Sequence, residues 1–221
     1  MIPGMPASRA SRRARRSLLA GCAAVLVLSA SAPAAGTPAP VVVKDPKDAV
    51  ASAPDLTRVQ IGLASDRRVR FALTLAAPWQ PKDLTAASGP PGSLCVRLWT
   101  VTKPGTTPPD YLVCATARAD GETMRGTVFK TQPGEQLSKV GVAIVGRTSD
   151  RTMTLRFSQT VVGRPKTIDF IAEATKPGCT RVSCVDTTPE APKTATFKLR
   201  GTSQAGPSRA KPLHRERVAC P

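Results

Sequence analysis

At 221 residues the chain is long enough for one domain with a substantial core. It carries 32 Lys and Arg against 15 Asp and Glu, a single histidine, no asparagine, and only 4% aromatic residues. Those counts exclude an N-glycosylation sequon and argue against histidine-based catalysis, histidine metal cages and an aromatic-rich nucleic-acid platform.

The chain opens with Arg9, Arg12, Arg13, Arg15 and Arg16 and no acid, followed by an uncharged apolar run of 11 residues from Leu18 to Leu28. Small residues fill Ser29 to Gly36. This is the order of a secretory signal peptide over residues 1–34, cleaved after Ala34. The run is well short of the roughly 20 residues of a membrane-spanning helix, so the mature form is expected to have no transmembrane helix. Leu19-Ala20-Gly21-Cys22 is similar to a lipobox, and lipidation of Cys22 is the alternative reading, which gives a membrane-anchored lipoprotein. Only Ser17 to Gly21 separate Arg16 from Cys22, and the most apolar stretch follows the cysteine, which favours its removal with the leader. Arg15-Arg16-Ser17-Leu18-Leu19 also matches a twin-arginine address, and the choice between the two export routes stays open. The expected location is secreted, outside the cytoplasm.

Residues 35–54, rich in Pro, Ala and Val, read as a linker. From 55 to 200 the dominant period is two, and the expected domain is an all-β antiparallel β-sandwich, jelly-roll or immunoglobulin-like, of about eight or nine strands. Val59, Ile61 and Leu63 alternate with small or polar residues, as do Val69, Phe71, Leu73 and Leu75. A turn centred on Asp66 pairs Leu63 with Val69, Ile61 with Phe71 and Val59 with Leu73, leaving Arg58, Gln60, Arg68, Arg70 and Thr74 outside. A second hairpin folds about Pro104-Gly105. It sets Leu94 opposite Ala115, Val96 opposite Val113 and Leu98 opposite Tyr111. Cys95 then faces Cys114 at a separation that a disulfide spans, so the two are expected to be bonded. Further strands are expected at 124–130, 140–145, 152–158, 167–174 and 194–199.

Cys179 and Cys184, in GCTRVSC, can close a second, small disulfide loop. Cys220 is left odd: free, capped, or paired between chains, so the oligomeric state is open. Residues 201–221 read as a basic disordered tail. Removing the leader leaves 27 basic against 15 acidic residues, about +12. That balance invites an anionic partner such as a phosphate-rich wall polymer. The abundance of Arg, Ala and Pro without asparagine is also a codon-bias signature of GC-rich bacteria, which raises charge without any ligand.

DLTRVQIGLASDRRVRFALTL, PDYLVCA and CVDTTPEAPKTATFKL together resemble secreted bacterial β-sandwich domains of the DOMON and family-nine carbohydrate-binding-module type. The resemblance spans roughly residues 55–199 and implies a fold more than an activity. Relatives that hold calcium use acidic loops, whereas TVTKPGTTPPD offers only Asp110. Relatives that hold haem use His or Met ligands, whereas His214 lies in the tail and Met153 alternates with Leu155 and Phe157 as a core residue. No cofactor and no metal are expected. Sugar stacking would fall to Trp79 and Trp99, with Arg97 nearby, in loops at one end of the sandwich.

Asp110, Asp120, Glu122, Glu135 and Asp169 are the carboxylates from which an acid–base pair could be drawn, and nothing in the sequence brings two together. The chain therefore reads as a non-catalytic module of the bacterial envelope or exterior, binding a glycan, small ligand or protein. The alternative is a protein that binds polyanions or anionic surfaces through its charge. No specific nucleic-acid contact is expected.

Overall fold

A computed structural model describes residues 37–47, 54–105, 107–181 and 184–199. The expected signal peptide with Cys22, and the basic tail with His214 and Cys220, lie outside the described residues.

Alternating apolar side chains make strands because every second residue can enter one core. Among the described residues eleven strands form: β1 Val41–Lys44, β2 Leu56–Leu63, β3 Val69–Leu75, β4 Ser93–Trp99, β5 Tyr111–Ala117 and β6 Met124–Thr131. β7 Leu137–Arg147, β8 Thr152–Phe157, β9 Thr167–Thr175, β10 Val185–Thr188 and β11 Ala195–Lys198 follow. Among the described residues there is no α-helix, only short 3-10 turns at Pro81–Leu84, Pro133–Glu135 and Gln159–Val162. All pairings are antiparallel, in the order β1-β2-β3-β8-β7-β6-β5-β4-β9-β10, with β11 also on β9. Both hairpin registers agree residue for residue with those read from the sequence, Cys95 opposite Cys114 included.

Two expectations need correction. The described residues hold eleven strands, β1 and β10 being additional to the nine expected. Residues 41–44, inside the stretch read as linker, pair with β2 from Val41 opposite Ile61 to Lys44 opposite Arg58. Val41 and Val43 pack on the core while Val42 and Lys44 face out. Five residues between Pro40 and Pro46 are too few to display a period, which is why composition alone suggests a linker. β10, with the sequence VDTT, has the same brevity and buries Asp186 and Thr188 instead of apolar residues.

The hydrogen-bonded path is nearly barrel-shaped. β7 forms its corner: Leu137 to Ala143 pair with β6, and Ile144 to Arg147 pair with β8. Gly126 faces Ala143 there, and any side-chain carbon at 126 would run into the Ala143 carbonyl oxygen. On the opposite side β2 comes against β10. Side chains bridge that seam. A bulge between Leu56 and Arg58 turns the Leu56 N–H out of its ladder, and Asp186 Oδ2 accepts it at 2.6 Å. The Thr188 hydroxyl lies 3.0 Å from the Leu56 carbonyl and 2.8 Å from an Asp45 carboxylate oxygen.

The core draws on both flanks of the corner. Phe71 of β3 stacks on Phe157 of β8 at 6.3 Å between centroids and meets Phe170 of β9 edge-on at 5.3 Å. Met153, Leu155, Val96, Leu98 and Phe197 close around them, all fully buried. Met153 is thus a core residue, as its alternation indicated. Successive strands run in alternate directions. The loops 64–68, 100–110, 132–136 and 158–166 therefore share one end, and 76–92, 118–123, 148–151 and 176–184 share the other.

Candidate functional site

Trp99 ends β4, on the sheet face that also carries Cys95 and Arg97. Its ring is 6% exposed, and its Nε1 donates to the Thr107 carbonyl at 3.0 Å. That carbonyl belongs to the loop between β4 and β5, which turns at Gly105 in the left-handed region (φ +83°). Arg97, Trp99, Ile171, Thr107, Pro109 and Pro192 line a shallow depression of about 390 Å³. The prolines come from two different connections, 100–110 and 189–194.

One residue organises the loop. Asp110 Oδ2 accepts the backbone N–H groups of Thr100 at 2.6 Å, Val101 at 2.7 Å and Thr102 at 3.2 Å. Its Oδ1 accepts the Thr102 hydroxyl at 2.9 Å. Burial pushes the carboxyl upward, but the donors on Thr100, Val101 and Thr102 outweigh it and hold the pKa below the ordinary value. The folded pKa is thus below the unfolded one of about 3.9, so the stabilisation is full above about pH 4 and is lost as pH falls below that. Asp110→Asn is expected to flatten the fall in thermal midpoint between about pH 4 and pH 2. Parallel midpoint-against-pH curves for the two proteins would contradict this account of the loop.

Arg97 and Glu173 form an ion pair at 2.6 Å, with the Glu173 side chain 9% exposed and that of Arg97 43%. β9 lies beside β4 in a register that sets Glu173 opposite Cys95 and Ile171 opposite Arg97. Ala172 and Ala174 enter the core, so Glu173 between them lies on the opposite face of β9. Its meeting with Arg97 depends on a strand pairing between residues more than seventy positions apart, which no local pattern encodes.

Trp79 is elsewhere. It follows the opposite end of β3, belongs to the main core, and donates its backbone N–H to the Asp150 carbonyl at 3.1 Å. The Arg147 guanidinium lies over its ring, 5.0 Å from the centroid, and bonds the Trp79 carbonyl at 2.6 Å and Gln80 Oε1 at 2.9 Å. The ring face that a sugar would need is taken by a cation. The expected grouping of Trp79 with Trp99 and Arg97 in loops at one end is therefore corrected: β3 carries the chain from its hairpin turn to Trp79 at the far end, whereas Trp99 ends β4 directly beside its own hairpin loop.

No protein family, curated protein or solved structure matches this chain. The chemistry must be read from the side chains themselves. Both expected cysteine pairs lie at disulfide distance, Cys95 with Cys114 and Cys179 with Cys184, with Cα separations of 4.1 and 6.1 Å. Three of the carboxylates considered for acid–base work have local partners. Asp110 holds its loop, and Asp169 accepts the Thr196 hydroxyl. Asp120 accepts the N–H groups of Glu122 and Thr123, which with the Thr123 hydroxyl lower its pKa. Glu122 and Glu135 stand exposed at turns. Among the described residues no three of His, Cys, Asp and Glu gather as a metal cage, and no helix is long and apolar enough to cross a membrane.

Proposed function

We propose that the chain is an exported, non-catalytic β-sandwich module of the bacterial envelope or exterior, related in fold to the DOMON and family-nine carbohydrate-binding type. It takes a small amphipathic ligand at the Trp99 end of the strands. The depression beside Trp99 carries this reading. Its volume of about 390 Å³ falls within the usual range for small-ligand sites. Prolines, Ile171 and the Trp99 edge give it apolar walls, and Arg97, Thr107 and Thr194 give it a polar rim. Arg97 meets Glu173 through Nη2 and has further N–H donors for a ligand acceptor. A stacked sugar ring is the poorer fit, because Trp99 shows 6% of its surface and Trp79 lies under Arg147.

The export half of the proposal is supported by the basic, apolar and small-residue order of residues 1–34 and by two cysteine pairs suited to an oxidising compartment. The non-catalytic half is supported by the local duties of Asp110, Asp120, Asp169 and Glu173.

The chain has two tryptophans, so Trp79→Phe leaves Trp99 as the only indole emitter. Titrating that variant with a panel of small amphipathic carboxylates is expected to give a saturable emission change, abolished by Ile171→Arg. Silence across the panel, or a response to neutral oligosaccharides alone, would defeat the proposal.

A further inference from the structure

The other broad face of the molecule has a different chemistry. Burial of Val59, Ile61, Phe71, Leu73, Met153 and Leu155 turns the alternate residues of β2, β3 and β8 outward. Those positions carry Arg58, Gln60 and Gly62, then Arg70, Ala72 and Thr74, then Thr152, Thr154 and Arg156. β1 adds Val42 and Lys44. The surface is low in relief, has no aromatic ring and no carboxylate at any of these strand positions, and sets its cations in two directly facing pairs. Lys44 stands opposite Arg58, and Arg70 stands opposite Arg156.

Like charges directly opposite across a ladder destabilise a sheet. Compensation here is slight. Asp66, in the hairpin turn, lies 3.9 Å from Arg156 and 3.5 Å from Arg68. Among the described residues Lys44, Arg58 and Arg70 meet no carboxylate within ion-pair distance. Arg70 instead lines a hollow of about 170 Å³ with Thr37, Pro38, Pro40, Gln60, Gly62 and Leu63. Arg58 donates to Gln60 Oε1 at 3.2 Å, which leaves the Gln60 amide N–H groups for a ligand. A guanidinium, an amide and the Thr37 hydroxyl around one small hollow are donors suited to a phosphate oxyanion.

We infer that the outer face of β1, β2, β3 and β8 binds a flexible phosphodiester polymer, such as a poly(glycerol phosphate) wall chain, with one phosphate at the Arg70–Arg156 pair and another at Lys44–Arg58. Arg70 faces Gly62, four residues along β2 from Arg58, so the two cation pairs stand about 13 Å apart along the strands. Phosphates two or three repeats apart on a single flexible chain bridge that separation, whereas an isolated phosphate occupies one pair. The absence of stacking rings at these strand positions favours a polymer without bases. The apolar side chains, Val42 on one flank and Ile144 on the other, border the face instead of forming a wedge for a bilayer. This surface is separate from the Trp99 depression, and neither proposal depends on the other.

The test is the affinity of the full mature chain for synthetic poly(glycerol phosphate), titrated at several salt concentrations. Arg70→Gln/Arg156→Gln should weaken binding at least about tenfold. It should also make the salt slope shallower by about 1 to 2. Arg118→Gln/Arg125→Gln removes the same net charge from another surface and should change little. Lys44→Gln/Arg58→Gln, at the edge, should reproduce the loss and keeps the test open should the first variant fold poorly. Equal losses in the Arg70/Arg156 and Arg118/Arg125 variants would overturn the inference by making the attraction one of net charge. So would wild-type protein that ignores the polymer, or that binds anionic phospholipid vesicles in its place.

Discussion

Asp186→Ala is expected to lower the unfolding free energy by about 3 kcal/mol, a charged hydrogen bond being worth about 1.5–3 and a stranded buried N–H costing about 1–3. The Leu56 amide is the reason. The bulge in β2 directs it away from its own ladder, and the buried Asp186 carboxylate meets it at 2.6 Å from 130 residues further along the chain. Without that acceptor the N–H has no water to turn to, since Leu56 itself is fully buried. Asp186→Asn retains a carbonyl acceptor of nearly the same shape and is expected to cost only about 1 kcal/mol. Urea unfolding of the three proteins checks the order. If alanine and asparagine are equally mild, the seam between β2 and β10 is held by packing, and the hydrogen bond is incidental.

Removing the Cys95–Cys114 bridge should have an effect of similar size. The partners are 19 residues apart, and closing a loop of that length restricts the unfolded chain enough to stabilise the fold by about 3 kcal/mol. The Cys179–Cys184 bridge closes a separation of 5, for which the same reasoning gives about 2 kcal/mol. Cys95→Ala/Cys114→Ala should therefore shift the urea midpoint further than Cys179→Ala/Cys184→Ala. Both sulfurs of the first pair are nearly inaccessible, with Cys95 2% and Cys114 7% exposed. Mild reductant should accordingly reach the second pair first, which thiol labelling under native conditions would show. The reverse order in either experiment would mean that the hairpin is held in register by its apolar pairs alone.

That register is legible in the sequence, and the reason is locality. In each hairpin the turn, the alternation and the partner strand lie within about thirty residues, so the apolar pattern has a single consistent solution. The disulfide followed from the same solution. Short elements were not legible: VVVK and VDTT are four residues long, and neither length nor composition separates them from loop. Nor were the pairings of β3 with β8 and β4 with β9, which decide what faces what across the molecule. Arg97 and Trp99 were singled out from sequence and do share one depression. Glu173, which fixes Arg97, and Asp110, which shapes the Trp99 wall, acquire their roles only when distant strands or a folded loop bring donors to them. Trp79 shows the converse case: its residue type suggested a ligand, while its place beside Arg147 and Asp150 makes it a plug for the far end of the core.

β1 enters from Thr37 at the level of Ile61, and β11 ends at Lys198 opposite Thr167. Both are at the end of the strands where Trp99 lies, and β1 and β11 are neighbours. The first and last described residues therefore lie at the same end of the strands as the Trp99 depression. Trp79, Arg147 and the 118–123 turn lie at the far end of the strands.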